Sequence, residues 1–197
     1  MDLSSEKTFK IIEFVLGEKA FTQRRLSREL AVSIGQVNKV INWLKLKNFV
    51  KKEGNSFRLS DPAGIVTAIS FFRHMGQLKI LTISLGLGKN EAFARLPKEA
   101  ILCLESAQDF FSPNFASNRL CVYAGEKTAK KISEAFAGFE GNQTQLLAFR
   151  PIPAVKPVKK GNRLLTSKVR TVIDLVCDDK AFAADPLFRQ LWGSKLG

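Results

Sequence analysis

Apolar residues recur at intervals of three and four near the start of the chain, which is the pattern of a helix that buries one face. Phe9, Ile12, Val15 and Leu16 share such a face. Gly17 follows them and is a typical residue at the end of a helix. The pattern therefore predicts an amphipathic first helix that ends at Gly17.

Two further helices are predicted in the next thirty residues. Thr22 can cap a short second helix, with Leu26 and Leu30 as its buried pair. After a tight connection, Ser33 can cap a third helix, which is predicted over residues 33–47.

The third helix has two contrasting faces. Val37, Val40, Ile41 and Leu44 project on one side when each residue advances by 100°. The opposite side carries small, amide and cationic residues, namely Gly35, Asn38, Lys39 and Asn42. The first side is expected to face a core, and the second side is expected to contact a partner.

Two strand-like runs follow and flank Glu53-Gly54-Asn55-Ser56, a hairpin signal. The order of elements, together with SRELAVSIGQVNKVINWLKLKNFVKK, resembles the winged helix-turn-helix family over residues 6–60. The positions that match the family pattern are Ser33, Val37, Leu44 and Val50. Asn48-Phe49 departs from it, since many members have Gly and an aliphatic residue there.

This resemblance implies binding to double-stranded DNA, with the third helix in the major groove. Amide side chains and Lys can contact base edges, a glycine permits close approach, and Arg and Lys can bind phosphates. The candidate residues of the third helix are Ser33, Gly35, Gln36, Asn38, Lys39 and Asn42. The candidate phosphate contacts are Arg24, Arg25 and Arg28 on the second helix and Lys51, Lys52, Asn55 and Arg58 on the hairpin.

The charge balance agrees with an anionic partner. Lys and Arg number 31 against 18 Asp and Glu, a formal net charge of +13. Nucleic acid is the first expectation, an acidic membrane surface the second, and a solvated basic surface the alternative.

No apolar run of membrane-spanning length and no apolar signal core occur, so a cytoplasmic protein without a membrane partner is expected. The three dispersed cysteines favour reduced thiols over disulfides or a zinc site.

A domain boundary is predicted at Asp61-Pro62, where Asp61 can cap a helix that begins with Pro62. Residues 1–60 would form the winged domain, 61–76 a linker helix and 77–197 an α/β domain built on a mixed sheet. The expected fold class is therefore α+β overall. His74 is interpreted as a cap at the C-terminal end of the linker helix.

Short motifs in the second half resemble the C-terminal domain of AbiEi-type antitoxins, over residues 78–192. They are LCLESAQDFFS, RLCVYAGEKTAKKI and RLLTSKVRTVIDLV. The resemblance implies a nucleotidyltransferase-like fold, transcriptional autoregulation by the N-terminal domain and neutralisation of a partner toxin by the C-terminal domain. Regulators of this type often bind palindromic sites as dimers, so a homodimer remains an alternative to a monomer.

A segment without acidic residues, 150–170, lies within this second half. It is interpreted as a second polyanion-binding surface, as a docking site for an acidic protein, or as protection of a sheet edge by Lys and Pro. Its cations are Arg150, Lys156, Lys159, Lys160, Arg163, Lys168 and Arg170. Asp174 lies four residues after Arg170, and an ion pair between them is favoured over a contact with a partner.

Catalytic patterns are weak. GLGKNEAF lacks the spacing of a phosphate-binding loop. Its glycines, Gly86 and Gly88, are not followed by Ser, and no Asp-x-Asp pair lies downstream, as a nucleotidyltransferase would need. We therefore expect no enzyme activity, no cofactor and no metal.

The favoured function is a DNA-binding transcriptional regulator, with the antitoxin role as its specific form. The alternatives are an interaction protein that uses the winged helix and residues 150–170 for a protein or RNA partner, and a nucleotide- or RNA-modifying enzyme.

Overall fold

The computed structural model describes residue 3, residues 5–113 and residues 117–196. Within them the chain forms ten helices and two sheets, one of three strands and one of six. This is an α+β fold, as predicted. The chain divides into two compact units, one that runs to Arg73 and includes Ser194, and one of residues His74–Gly193. The division thus falls inside the segment 61–76.

The first unit consists of four helices and a small antiparallel sheet. Its elements are α1 (Glu6–Gly17), β1 (Ala20–Phe21), α2 (Gln23–Leu30), α3 (Ile34–Leu46), β2 (Val50–Glu53), β3 (Ser56–Leu59) and α4 (Pro62–Ser70). Strand β3 lies between β1 and β2. The core of this unit is formed by the apolar faces of its helices, in which Phe9, Ile12, Leu26, Ile41 and Leu44 are at most 1% exposed.

Local capping sets where these helices begin, and it follows the sequence prediction. Oγ1 of Thr22 accepts a hydrogen bond from the backbone N–H of Arg25, and Oγ of Ser33 accepts one from Gln36. Oδ1 of Asp61 accepts a bond of 2.8 Å from the N–H of Gly64. Each bond satisfies a backbone donor that a helix start leaves without a partner.

The end of α4 differs from the prediction. This helix ends at Ser70, so His74 is not a cap at its C-terminus. His74 instead precedes the short helix α5 (Met75–Leu78), and its side chain makes no capping hydrogen bond there. The spacing of Ile65, Ile69 and Phe72 predicts that all three lie on one buried helix face. Phe72 is instead 52% exposed because α4 ends before reaching it.

The second unit is built on a six-stranded mixed sheet. The strands are β4 (Lys79–Leu85), β5 (Ile101–Leu102), β6 (Arg119–Tyr123), β7 (Thr144–Phe149), β8 (Val158–Lys160) and β9 (Arg163–Leu165), in the order β4-β7-β6-β5-β9-β8. The helices after α5 are α6 (Lys89–Arg95), α7 (Leu104–Phe111), α8 (Glu126–Ala135), α9 (Lys168–Val176) and α10 (Ala181–Trp192).

Both faces of this sheet are covered. Leu120 and Val122 pack on one face in a cluster with residues of α6 and α8, including Ala92 and Ile132. Tyr123 points to the opposite face and hydrogen bonds to α9. Successive residues of a strand alternate between faces, which explains why all of β6 from Leu120 onward is buried.

Two predictions of secondary structure in this unit were imprecise. The sequence EAILCLESAQDFF predicts a helix throughout, but β5 precedes α7 and joins the sheet between β6 and β9. The sequence DPLFRQLWGSKL predicts a helix that begins near Asp185, but α10 begins at Ala181 and contains Pro186. Three prolines and the Lys159-Lys160-Gly161-Asn162 turn predict either an ordered loop or a hairpin at the sheet edge. The structure has the hairpin, since β8 and β9 pair and β8 is the outer strand.

No helix among the described residues is long and apolar enough to cross a membrane.

Candidate nucleic-acid interface

Helix α3 has the two faces that the sequence predicts. Val37, Val40, Ile41 and Leu44 are completely buried. The opposite face, formed by Gly35, Asn38, Lys39 and Asn42, is exposed. Among the described residues, none of the last three side chains forms a hydrogen bond or an ion pair. Their hydrogen-bonding capacity is therefore available to an external partner.

The start of α3 is held against α1. Nε2 of Gln36 donates a hydrogen bond of 3.2 Å to Oγ1 of Thr8, which is 1% exposed. Ser33, although exposed, uses its hydroxyl oxygen to cap the helix. Gln36 was predicted as a DNA contact, and the structure gives its amide N–H group a role in positioning α3.

The three arginines of α2 are not equivalent. Arg25 donates hydrogen bonds of 3.1 Å to both carboxylate oxygens of Glu18 and one of 2.6 Å to Glu29. These bonds, first the one to Glu29 and then those to Glu18, raise the pKa of Arg25. With its charge offset by two carboxylates, Arg25 is a weaker phosphate ligand than the sequence suggested.

Arg24 and Arg28 differ from Arg25. Both are exposed, and no ion pair with an acidic residue of the described chain offsets their charge. They lie four residues apart, so they share one side of α2. This side provides two cations for an anionic partner.

The register of the β2–β3 hairpin separates its two lysines. Lys51 pairs with Arg58, whereas Lys52 pairs with Phe57, a core residue that is 7% exposed. Side chains of adjacent residues point to opposite faces of a sheet. Lys51 and Arg58 therefore share the outer face, and Lys52 projects from the same face as Phe57.

Lys51 and Arg58 form a like-charged pair directly opposite each other, an arrangement that destabilises a hairpin. One carboxylate lies nearby, since Oε1 of Glu53 is 3.7 Å from NH1 of Arg58. That pair is largely exposed, so its stabilising effect is small. A phosphate between Lys51 and Arg58 would relieve their repulsion.

The tip of the hairpin is a two-residue loop formed by Gly54 and Asn55, because Glu53 pairs with Ser56. Gly54 has φ of +57°, which a residue with a side chain rarely adopts. Asn55 is exposed at this tip. It makes no hydrogen bond with another described residue, which leaves its amide group available to a partner.

The second predicted surface, residues 150–170, is smaller than the sequence indicates. Arg150, Lys156 and Lys159 are exposed. Nζ of Lys160 donates a hydrogen bond to the carbonyl of Phe110, and Nζ of Lys168 donates one of 2.8 Å to Oε1 of Gln190. The remaining two cations of the segment, Arg163 and Arg170, are buried.

Arg163 was predicted as a surface cation, and this is wrong. It is 7% exposed, and its guanidinium donates hydrogen bonds of 2.9 Å to the carbonyl of Leu96 and 2.6 Å to that of Phe93. The guanidinium also lies 4.5 Å from the centre of the Phe93 ring. Burial lowers the pKa of Arg163. These contacts tie β9 to the end of α6, so Arg163 has a structural role.

Arg170 is likewise excluded from a polyanion surface, because it is completely buried. Its Nε lies 3.0 Å from Oδ1 of Asp174, as the spacing of four residues predicted. The hydroxyl of Tyr123 donates a hydrogen bond of 2.8 Å to Oδ2 of Asp174 and accepts one of 3.2 Å from NH2 of Arg170. Asp174 is thus a member of a buried network, and the alternative of a partner contact is not supported.

A second buried ionic group was not recognised in the sequence. Glu105, which is 1% exposed, lies 3.2 Å from NH1 of Arg119 and also pairs with Lys180. Asp178 lies 2.8 Å from Arg119 and 3.0 Å from Lys180. Burial raises the pKa of Asp178, and Arg119 opposes that effect. Two acids and two bases balance in charge, so we interpret the group as structural.

Among the described residues, no three His, Cys, Asp or Glu side chains are grouped in a way that could hold a metal ion. The three cysteines are buried thiols without disulfide bonds. Burial raises the pKa of both Cys103 and Cys121 well above the usual range. Thiols of this kind are weak nucleophiles and weak metal ligands at neutral pH.

The chain matches no protein-family model, no curated protein and no solved structure to a significant degree. The resemblance to AbiEi-type antitoxins therefore stays a prediction.

Proposed function

We propose that the first unit is a winged helix-turn-helix domain that binds double-stranded DNA, and that the protein is a transcriptional regulator. The order α1-β1-α2-α3-β2-β3, with β3 in the centre of the small sheet, supports this assignment. In such domains the second helix of the turn enters the major groove, and here that helix is α3.

The observation that carries the proposal is the exposed face of α3. Asn38, Lys39 and Asn42 have no partner among the described residues, and α3 contains no acidic residue. A free amide can form two hydrogen bonds with adenine, and Lys can contact guanine or phosphate. A helix face that offers donors without any carboxylate suits the acceptor-rich edge of DNA.

The flanking cations can bind the DNA backbone. Arg24 and Arg28 on α2, and Lys51 and Arg58 on the hairpin, lie on elements that directly precede and follow α3. Contacts of this type fix the orientation of a protein on DNA without providing sequence preference. Arg25 is left out of this set because Glu18 and Glu29 engage it.

The first test is fluorescence anisotropy of the protein with the DNA upstream of its gene and with a scrambled duplex, over a series of salt concentrations. We expect the upstream DNA to bind at least about a hundredfold more tightly than the scrambled duplex. Equal, weak binding to both duplexes would refute the proposal and favour the alternative of an interaction protein.

Variants on α3 and on the β2–β3 hairpin then separate base contacts from phosphate contacts. Replacing Lys39 and Asn42 by Ala should reduce specific binding by about tenfold or more and change binding to scrambled DNA much less. Replacing Lys51 by Ala should weaken both and reduce the salt dependence by about one counterion. Lys127→Ala removes the same charge from the exposed side of α8 and serves as the control. Similar losses for all variants would contradict the assignment of α3.

The antitoxin role rests on the sequence resemblance alone, and so does a nucleotidyltransferase-like arrangement of the second unit. A direct test is to co-express the protein with the product of a neighbouring gene and to purify the complex. A stable complex that represses the shared promoter would support autoregulation by an antitoxin, and two proteins that do not associate would argue against it.

A further inference from the structure

Ile34 is an apolar residue that the core of the first unit does not use. It occupies the first position of α3 and is 45% exposed. The contact that often fixes a helix start joins the residue before the cap to the fourth helical residue. Here those positions belong to Val32 and Val37, which are 5% and 0% exposed. Ile34 is therefore not required for that contact.

Two features of α3 place Ile34 beside groups suited to DNA. Gly35 follows it, and a Cβ atom at Gly35 would meet nothing within 4 Å. Asn38 lies four residues after Ile34, so both side chains project from the same side of the helix. The rise between them is about 6 Å, which corresponds to roughly two base-pair steps of 3.4 Å.

We propose that Ile34 contacts the 5-methyl group of a thymine and that Asn38 forms paired hydrogen bonds with an adenine about two base pairs away. This inference rests on the proposed DNA-binding function and specifies its substrate, a duplex site with A·T pairs opposite the start of α3. Apolar side chains contact the thymine methyl group in the major groove, and Asn presents the donor and acceptor that adenine matches.

The test begins with duplexes that the protein itself selects from a randomised pool. Each thymine of the selected site is then replaced in turn by deoxyuridine, a change that removes only the methyl group. We expect one position at which this replacement weakens binding about fourfold, the value of one methyl group removed from water. Ile34→Ala should bind the thymine and uracil duplexes equally well.

Leu46→Ala is the matched control. Leu46 lies at the opposite end of α3 and is 82% exposed, so its removal deletes an apolar side chain of the same size from the same helix. This variant should keep the full sensitivity to the methyl group.

For Asn38, the adenine is replaced by 7-deazaadenine, which lacks the N7 acceptor, and Asn38→Ala should no longer distinguish the two bases.

The outcomes separate the two proposals. A pool that yields no preferred sequence would overturn both the DNA-binding function and this inference. A clear consensus in which no thymine responds to loss of its methyl group would overturn the inference only. Fourfold methyl sensitivity that persists in Ile34→Ala would also overturn the inference and leave the DNA-binding function standing.

Discussion

Replacing Gly35 by Ala should change stability and DNA affinity in opposite directions. Gly35 lies in the first turn of α3, where glycine is unfavourable because it loses more backbone freedom on folding than alanine does. A Cβ atom would meet nothing within 4 Å, and φ lies outside the left-handed region. The free protein thus gives no reason for glycine at this position.

Gly64 provides the contrast. A Cβ atom there would lie 2.4 Å from Oδ2 of Asp61 and 2.5 Å from the ring of Phe49. At Gly64 the side chains of Asp61 and Phe49 would have to shift to admit a methyl group, whereas at Gly35 no neighbouring atom occupies that space. On the proposed DNA-binding function, the glycine would leave room for a base pair or a sugar-phosphate backbone that approaches α3.

The expected gain in stability for Gly35→Ala is about 0.5–1 kcal/mol. Urea unfolding followed by tryptophan fluorescence measures it. The chain has two tryptophans, Trp43 in α3 and Trp192 at the end of α10. A Trp192→Phe background leaves Trp43 as the reporter of the first unit.

The affinity of Gly35→Ala for its specific duplex should fall about tenfold or more, because an added methyl group separates α3 from the bases and weakens several contacts at once. Gly17→Ala is the matched control. Gly17 ends α1, and a Cβ atom there would also meet nothing within 4 Å. It should leave DNA binding unchanged. A Gly35→Ala protein with unchanged affinity, or with lower stability, would refute the reasoning.

Other predictions concern the second unit, with Trp192 as the reporter. Tyr123→Phe should lower the free energy of unfolding by about 1–3 kcal/mol, because a buried hydroxyl is lost. Asp174→Ala should lower it by about 3–5 kcal/mol, because Arg170 would keep a buried charge without its carboxylate. A loss below about 1 kcal/mol for Asp174→Ala would contradict this. Because burial raises the pKa of Cys103 and Cys121, the unfolded thiols ionise above about pH 8.5 while the folded thiols stay protonated. The free energy of unfolding should therefore fall as the pH rises above that value, by up to about 1.4 kcal/mol per pH unit for each thiol. Urea titrations from about pH 8 to 10 measure this slope, and Cys103→Ala should have a shallower one.

The features that the sequence predicted correctly depend on nearby residues. Both faces of α3 follow from a period of 3.6 residues, and the caps at Thr22, Ser33 and Asp61 each involve a donor three residues away. The pair of Arg170 and Asp174 is likewise local, since four residues separate its members. Interactions of this range can be predicted from spacing alone.

The features that the sequence did not predict depend on residues far apart in the chain. Arg163 is buried because β9 brings it to the carbonyl of Phe93, 70 residues earlier. Glu105 acquires Lys180 as a partner across 75 residues. A sequence pattern identifies such residues as charged but cannot show which distant group offsets the charge. The sequence did contain one indication that Arg163 is buried, since two leucines follow it in strand β9.

The burial of Arg163 and Arg170 changes where an anion is expected to bind. In residues 150–170 the cations that lack a partner among the described residues are Arg150, Lys156 and Lys159, and Lys159 lies on the short edge strand β8. Lysine on a short edge strand is a common protection against pairing with another chain, so its presence there needs no ligand. In the first unit, by contrast, the exposed pair of Lys51 and Arg58 carries an unfavourable repulsion that a bound anion would remove. The physical case for a polyanion is therefore stronger for α3 and the β2–β3 hairpin than for residues 150–170.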